Sequence, residues 1–338
     1  MKYFLATLTV LLLTASTGLY ATVIYVAPAA PASATGAGWH DPTNLTTALA
    51  RAQPGDRVFC HTGVYFPGAT RNSSFVVPAG VAVYGGFTGH EADPQERDAS
   101  LKSVLSGDIG QRNTADDNVY TVVRLRSGEI NRSTLDGFVI RDGVGRGFSD
   151  GYAAKNAGGG LYVEAPSAGT AAHEITNCVF LNNHAHNGGA VFVNAAQPVF
   201  SDCRFTGNRA DFNGGAVYNQ GAGSSVTPVF RDCEFSDNTS NSGAGMTNNG
   251  TSGEANVLLI ACHFADNFSL IKGAAIFNIT AGGRGLAEVV VDGCTFVGND
   301  SVLRSDNVSG SGTTAGSRSA APRRNAGGRI RPAAAVKR

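Results

Sequence analysis

Asp202 and Asp232 each stand one residue before a regularly placed cysteine, with Arg204 and Arg231 beside them. Two carboxylates stacked ~5 Å apart on neighbouring strands could share a cation or divide acid and base roles. The two arginines would more simply neutralise them, and an aspartate at a chain bend needs no chemistry to explain it. His184-Ala-His186 is a close histidine pair, but no third ligand can be assigned to it and the chain has no Cys-x-x-Cys. The Asn-rich turn beside it points to solvated loop histidines, and no metal site is expected. Tyr162, Phe192, Tyr218 and Phe277, with Thr247 interrupting, fall two residues after recurring small-residue pairs and should align on one strand face. On a wet face they would form a ligand platform that stacks sugar rings. If Val191, Val217, Met246 and Ile276 point outward instead, the aromatics are core, and strand parity leaves both readings open. Asp116-Asp117 is an isolated pair, read as loop.

Such side chains need an element to hold them, and composition limits which. Glycine supplies 44 of 338 residues, about 13% against a usual ~7%, while only 15% are charged and 42% apolar. That excludes a coiled coil or helical bundle, and the absence of a three-residue glycine period excludes collagen. Formal charge sums to zero, but residues 301–338 carry eight basic residues against Asp306, 8 − 1 = +7, leaving 18 − 25 = −7 on the other 300. An acidic body argues against a nucleic-acid or anionic-membrane surface there. The chain opens with Lys2, an apolar run from Phe4 to Leu13 and small residues to Ala21, the layout of a secretory signal peptide over 1–21. No later stretch reaches the ~20 apolar residues of a spanning helix. The mature protein is expected to be exported, secreted or at the cell surface, with a disordered basic tail over 301–338.

One motif recurs five times, around Cys178, Cys203, Cys233, Cys262 and Cys294. Three residues before each cysteine is an apolar residue, two after it Phe180, Phe205, Phe235, Phe264 or Phe296, and five after it Asn183, Asn208, Asn238, Asn267 or Asn299. Cysteine and phenylalanine share a strand face by parity, whereas the earlier apolar residue breaks parity and demands a bend. Asn177, Asp202, Asp232 and Gly293 occupy that bend and tolerate a left-handed backbone. Steps of 25, 30, 29 and 32 residues suit one coil of a β-solenoid, whose stacking at ~4.8 Å makes inward ladders of Cys, Phe and Asn. Stacked cysteines behave as small apolar residues, so free thiols are expected despite export. Asn44 can cap a short helix carrying Leu45, Ala48 and Leu49 on one face, within a cap over 22–56, ahead of a solenoid over 57–300.

These residues, with Gly188-Gly-Ala-Val-Phe192, Gly214-Gly-Ala-Val-Tyr218 and Phe180-Leu-Asn-Asn183, resemble right-handed parallel β-helix proteins of the pectin-lyase-like group, especially the repeats of chlamydial polymorphic outer membrane proteins. The segment Ile24-Tyr-Val26, Pro54-Gly-Asp56, Gly80 to Phe87 and Leu135-Asp-Gly-Phe-Val-Ile140 is similar to the amino-terminal region of exported bacterial proteins of this type. The resemblance spans residues 22–300 and implies an all-β, single-stranded right-handed parallel β-helix with a short helical cap. The group hosts lyases, hydrolases, adhesins and structural proteins, so fold leaves function open. Two classes stand: a non-enzymatic, adhesin-like or polysaccharide-binding surface protein, and a polysaccharide lyase or glycoside hydrolase, which as a lyase would call on Ca2+ and would use Asp202 and Asp232. The resemblance implies clustered acidic calcium ligands with an Arg or Lys base in the lyases, and Gly-His-Gly and Arg-x-Lys motifs in polygalacturonases; this chain lacks the latter two. With its charges scattered, the first class is favoured, with a polysaccharide or host-surface glycan as partner, no cofactor, and a monomer expected.

Overall fold

The computed structural model describes residues 21–126, 132–146, 156–165, 173–280, 286–303, 307–310 and 313–316. Apart from residue 21, the expected signal segment lies outside the described residues, as does the basic tail beyond 316. Every pairing between named strands is parallel, and among the described residues they form sheets of 17, 8 and 6 strands that wind as successive coils. Taking one coil as example, the chain passes through Val191–Asn194 and Val199–Ser201 in the largest sheet, Arg204–Thr206 in the second and Arg209–Asn213 in the third.

Two sharp corners per coil make this path possible. At the first, Asn177, Asp202, Asp232, Ala261 and Gly293 all have φ between 51° and 64°. The second falls one residue before each ladder asparagine, at Asn182, Gly207, Asp237, Asp266 and Gly298, and at Asp142 in the preceding coil, again with positive φ. Asn, Asp and Gly enter that region at little cost, which is why these types recur there.

Inside, Phe180, Phe205, Phe235, Phe264 and Phe296 stack with centroids 4.9, 4.7, 4.4 and 5.1 Å apart. Phe200 and Phe230 stack at 4.7 Å and meet this column edge-on. All six cysteines are buried and unpaired by disulfides. The asparagine ladder closes the second corner: Asn208 Nδ2 donates to Asn238 Oδ1 at 3.0 Å and to Phe180 O at 2.9 Å, and the pattern repeats down the stack. Buried amides so satisfied hold the corner without leaving lone donors in the core.

The helix Leu45–Arg51 forms as expected, with Asn44 accepting from Thr47 N at 2.8 Å and Leu45, Ala48 and Leu49 buried over the first coil. The opposite boundary differs from the expected one. The ladder passes residue 300: Val308–Ser309 pairs with Ile276–Phe277, and Thr313–Gly316 with Val289–Asp292. Backbone donors of the preceding coil recruit these residues, as in Ile276 N to Asn307 O at 2.8 Å, and such pairing requires no apolar pattern in the added strand.

Candidate functional site: a charged cleft between loop 107–120 and the third sheet

Histidines 184 and 186 are not loop residues. They lie on the strand His184–Asn187, where alternation turns both to the outer face, each partly buried. The adjacent coil supplies Asp211 from Arg209–Asn213. His184 Nε2–H donates to Asp211 Oδ1 at 2.8 Å, while His186 Nδ1 and Arg146 Nε lie 3.1 and 2.9 Å from Asp211 Oδ2. One carboxylate thus hydrogen-bonds one imidazole and lies within ion-pair distance of a second imidazole and a guanidinium. Burial raises the Asp211 pKa, but the hydrogen bond from His184 and the charges of His184, Arg146 and His186 outweigh it and hold it below the usual value. Burial also lowers the His184 pKa; Asp211 opposes this, and Arg146 and Arg209 reinforce it.

Next to this cluster opens a cleft of about 460 Å3 whose lining includes Asp108, Asn118, Arg141, Asp142, His184 and Arg209. The wall is the loop joining Ser103–Ser106 to Val123–Arg126, closed by Val119 N to Gly107 O at 3.0 Å and pinned by Asn118 Nδ2 to Asp142 O at 2.8 Å. Asp142 is one of the left-handed corners and pairs with Arg141 Nε at 3.3 Å. Burial raises the Asp142 pKa, Arg141 works against the rise and Asp108 adds to it. Burial thus shifts a carboxyl and an imidazole of the same cleft in opposite directions, each toward its neutral form. Among the described residues no group of three or more His, Cys, Asp and Glu is arranged to hold a metal ion.

This convergence overturns the expectation of scattered charges. The partial signal missed was position within the repeat: His186 and Asp211 both fall three residues after their ladder asparagines, Asn183 and Asn208.

Asp202 and Asp232 are exposed left-handed corner residues, so the bend accounts for them. Arg204 does not neutralise them; its Nε pairs with Glu234 Oε2 at 3.4 Å, the residue in register with it on the next coil. Neither aspartate lines the cleft.

The aromatic series meets neither reading whole. Val191, Val217, Met246 and Ile276 are the core residues, which puts Tyr162, Phe192, Tyr218 and Phe277 on the outer face. Yet Tyr162, Phe192 and Tyr218 are only 3, 8 and 6% exposed. Their rings stack on one another at 5.5 and 5.1 Å, and the glycine turns pack against them: a Cβ on Gly188 would lie 3.2 Å from that of Tyr218. Ring faces are therefore taken, and the polar ends carry contacts instead, with Asn194 Nδ2 donating to Tyr162 Oη at 3.4 Å and Asn249 Nδ2 to Tyr218 Oη at 2.6 Å. Phe277 is half-buried beneath Lys272, whose Nζ is 4.5 Å from the ring centroid.

Residues 117–319 match the family model described as right handed beta helix region. A solved structure similar to this chain is that of pectate lyase Pel9A, at 11% identity and a TM-score of 0.42, with 88% of this chain and 80% of that one covered. No curated protein matches the chain significantly. No helix among the described residues is long and apolar enough to cross a membrane.

Proposed function

The chain belongs to the right-handed β-helix family, and on that scaffold we propose an exported or cell-surface protein that binds a polysaccharide in the cleft between loop 107–120 and the third sheet. The observation that carries this reading is the cleft lining: guanidinium, carboxylate, imidazole and amide groups converge on one open channel. Sugars offer hydroxyls, and in acidic polymers carboxylates or sulfates, and such groups are bound by convergent donors and acceptors of these kinds. The repeats that resemble those of polymorphic outer membrane proteins, and the leader-like start of the chain, support the surface setting. The outer row of Tyr162, Phe192, Tyr218 and Phe277 could extend the contact only through hydroxyls and ring edges. Titration of the protein with a panel of acidic and neutral polysaccharides tests the proposal. Saturable binding that weakens at least about tenfold in Arg209→Ala, the equivalent of one charged hydrogen bond, is expected. Failure of every polysaccharide to bind would defeat it.

A second reading, cleavage by a lyase or hydrolase, is favoured by one observation: Asp142 and His184 line the same cleft with pKa values pushed in opposite senses. Each shift favours the neutral form, in which a carboxyl can protonate a leaving oxygen and an imidazole can accept a proton. Fragments released from any bound polymer, and lost in Asp142→Asn, would establish it.

A further inference from the structure

Ionic pairing in the cleft is nearly balanced when its histidines are neutral. In the lining Arg141 is paired with Asp142, and beside the cleft Arg146 is paired with Asp211; Arg209, which has no ion pair among the described residues, shares the lining with Asp108. Acidification changes this from several sides at once. A proton on His184 would add a cation beside Asp211, a carboxylate already matched by Arg146 and shared with the second imidazole, His186. Asp142, raised by burial and by Asp108, is poised to lose its charge early as pH falls, which frees Arg141. His184 would keep Nδ1–H as a donor while Nε2–H stays on Asp211. Among the described residues no charged group facing the cluster offsets these changes: Arg146 and Arg209 are permanent cations, Asp211 is held ionised, and Asp108 is a single carboxylate.

Resting on the reading of the cleft as a glycan site, we propose that His184 in its lining, with the neighbouring His186 and the single carboxylate the two share, makes it an acid-strengthened receptor for polyanionic glycans, with Arg209, Arg141 and the His184 imidazolium holding sulfate or carboxylate substituents. Imidazole is the side chain whose charge changes in the mildly acidic range, so the same cleft would hold such a polymer tightly in acid surroundings and release it near neutrality. The ligand in turn stabilises the protonated imidazoles, so by linkage binding must take up protons.

Dextran sulfate keeps its charge across this range, and unsulfated dextran is its neutral counterpart. Their affinities for the protein are to be measured at about pH 5 and about pH 7.5 at fixed ionic strength, with calorimetry in two buffers of different ionisation enthalpy to count protons. The expected result is dextran sulfate binding at least about tenfold tighter at the lower pH, with net proton uptake, and a pH dependence abolished in the His184→Gln, His186→Gln double variant. Proton uptake by the unaltered protein keeps the test decisive if that variant does not fold. Equal affinity at both pH values without proton uptake, or an acid gain that persists in the folded double variant, would overturn the inference while leaving the glycan site standing. Absence of binding by either dextran at both pH values, together with failure of the polysaccharide panel, would remove both.

Discussion

His173 is enclosed between coils, where Ser133 N donates to its Nδ1 at 3.2 Å. Burial pushes its pKa down from 6.5 to about 4, because a charged imidazole there would lose its hydration. The unfolded chain therefore takes up this proton near 6.5 and the folded one only near 4. The contribution to stability is full above the higher value and declines as pH falls through the interval, by up to about 3 kcal/mol. Urea midpoints at about pH 7.5 and about pH 4.5 should show a loss in the native sequence that is reduced in His173→Gln. An equal loss in both would place the acid sensitivity elsewhere. The same desolvation lowers the His184 pKa, but there Asp211 opposes it.

At the scale of strands and corners, identity of side chain and identity of position separate. Five coils announce themselves because Cys, Phe and Asn recur in fixed register, and their inward columns follow from parity. The first coils extend the same columns with other residues. Tyr65, Leu105 and Ile140 continue the Phe column, and Phe138 stands in the Cys column, since an inward slot asks only for apolar volume. The cleft was hidden for a related reason. His184 and Asp211 are 27 residues apart in the chain and touch only because consecutive coils stack, with a register shift after Ala185 that spacing does not reveal. Stacking also sets the cost of damage. Phe235 is fully buried between Phe205 and Phe264 and edge-on to Phe230, so Phe235→Ala should destabilise the protein by about 3–5 kcal/mol in urea unfolding. A loss below about 1 kcal/mol would mean the column collapses to fill the space.

Across the whole molecule, the solenoid separates tasks by face. Three inward ladders of Cys, Phe and Asn carry cohesion from coil to coil, while the outer surface is free to vary. Gly189 shows how closely the coils approach: a Cβ there would fall 2.3 Å from the carbonyl oxygens of Arg209 and Gly215, so the strand bearing the histidines is held tight against the one bearing Asp211. The cleft is therefore built on rigid neighbours and closed on one side by a pinned loop, an arrangement that favours binding without large rearrangement. Hydrogen–deuterium exchange of the protein with and without a bound polysaccharide tests the central claim most directly. The account predicts slowed exchange confined to residues 108–118, 141–146, 182–186 and 207–211; protection instead along the outer row of Tyr162, Phe192 and Tyr218, or none at saturating ligand, would contradict it.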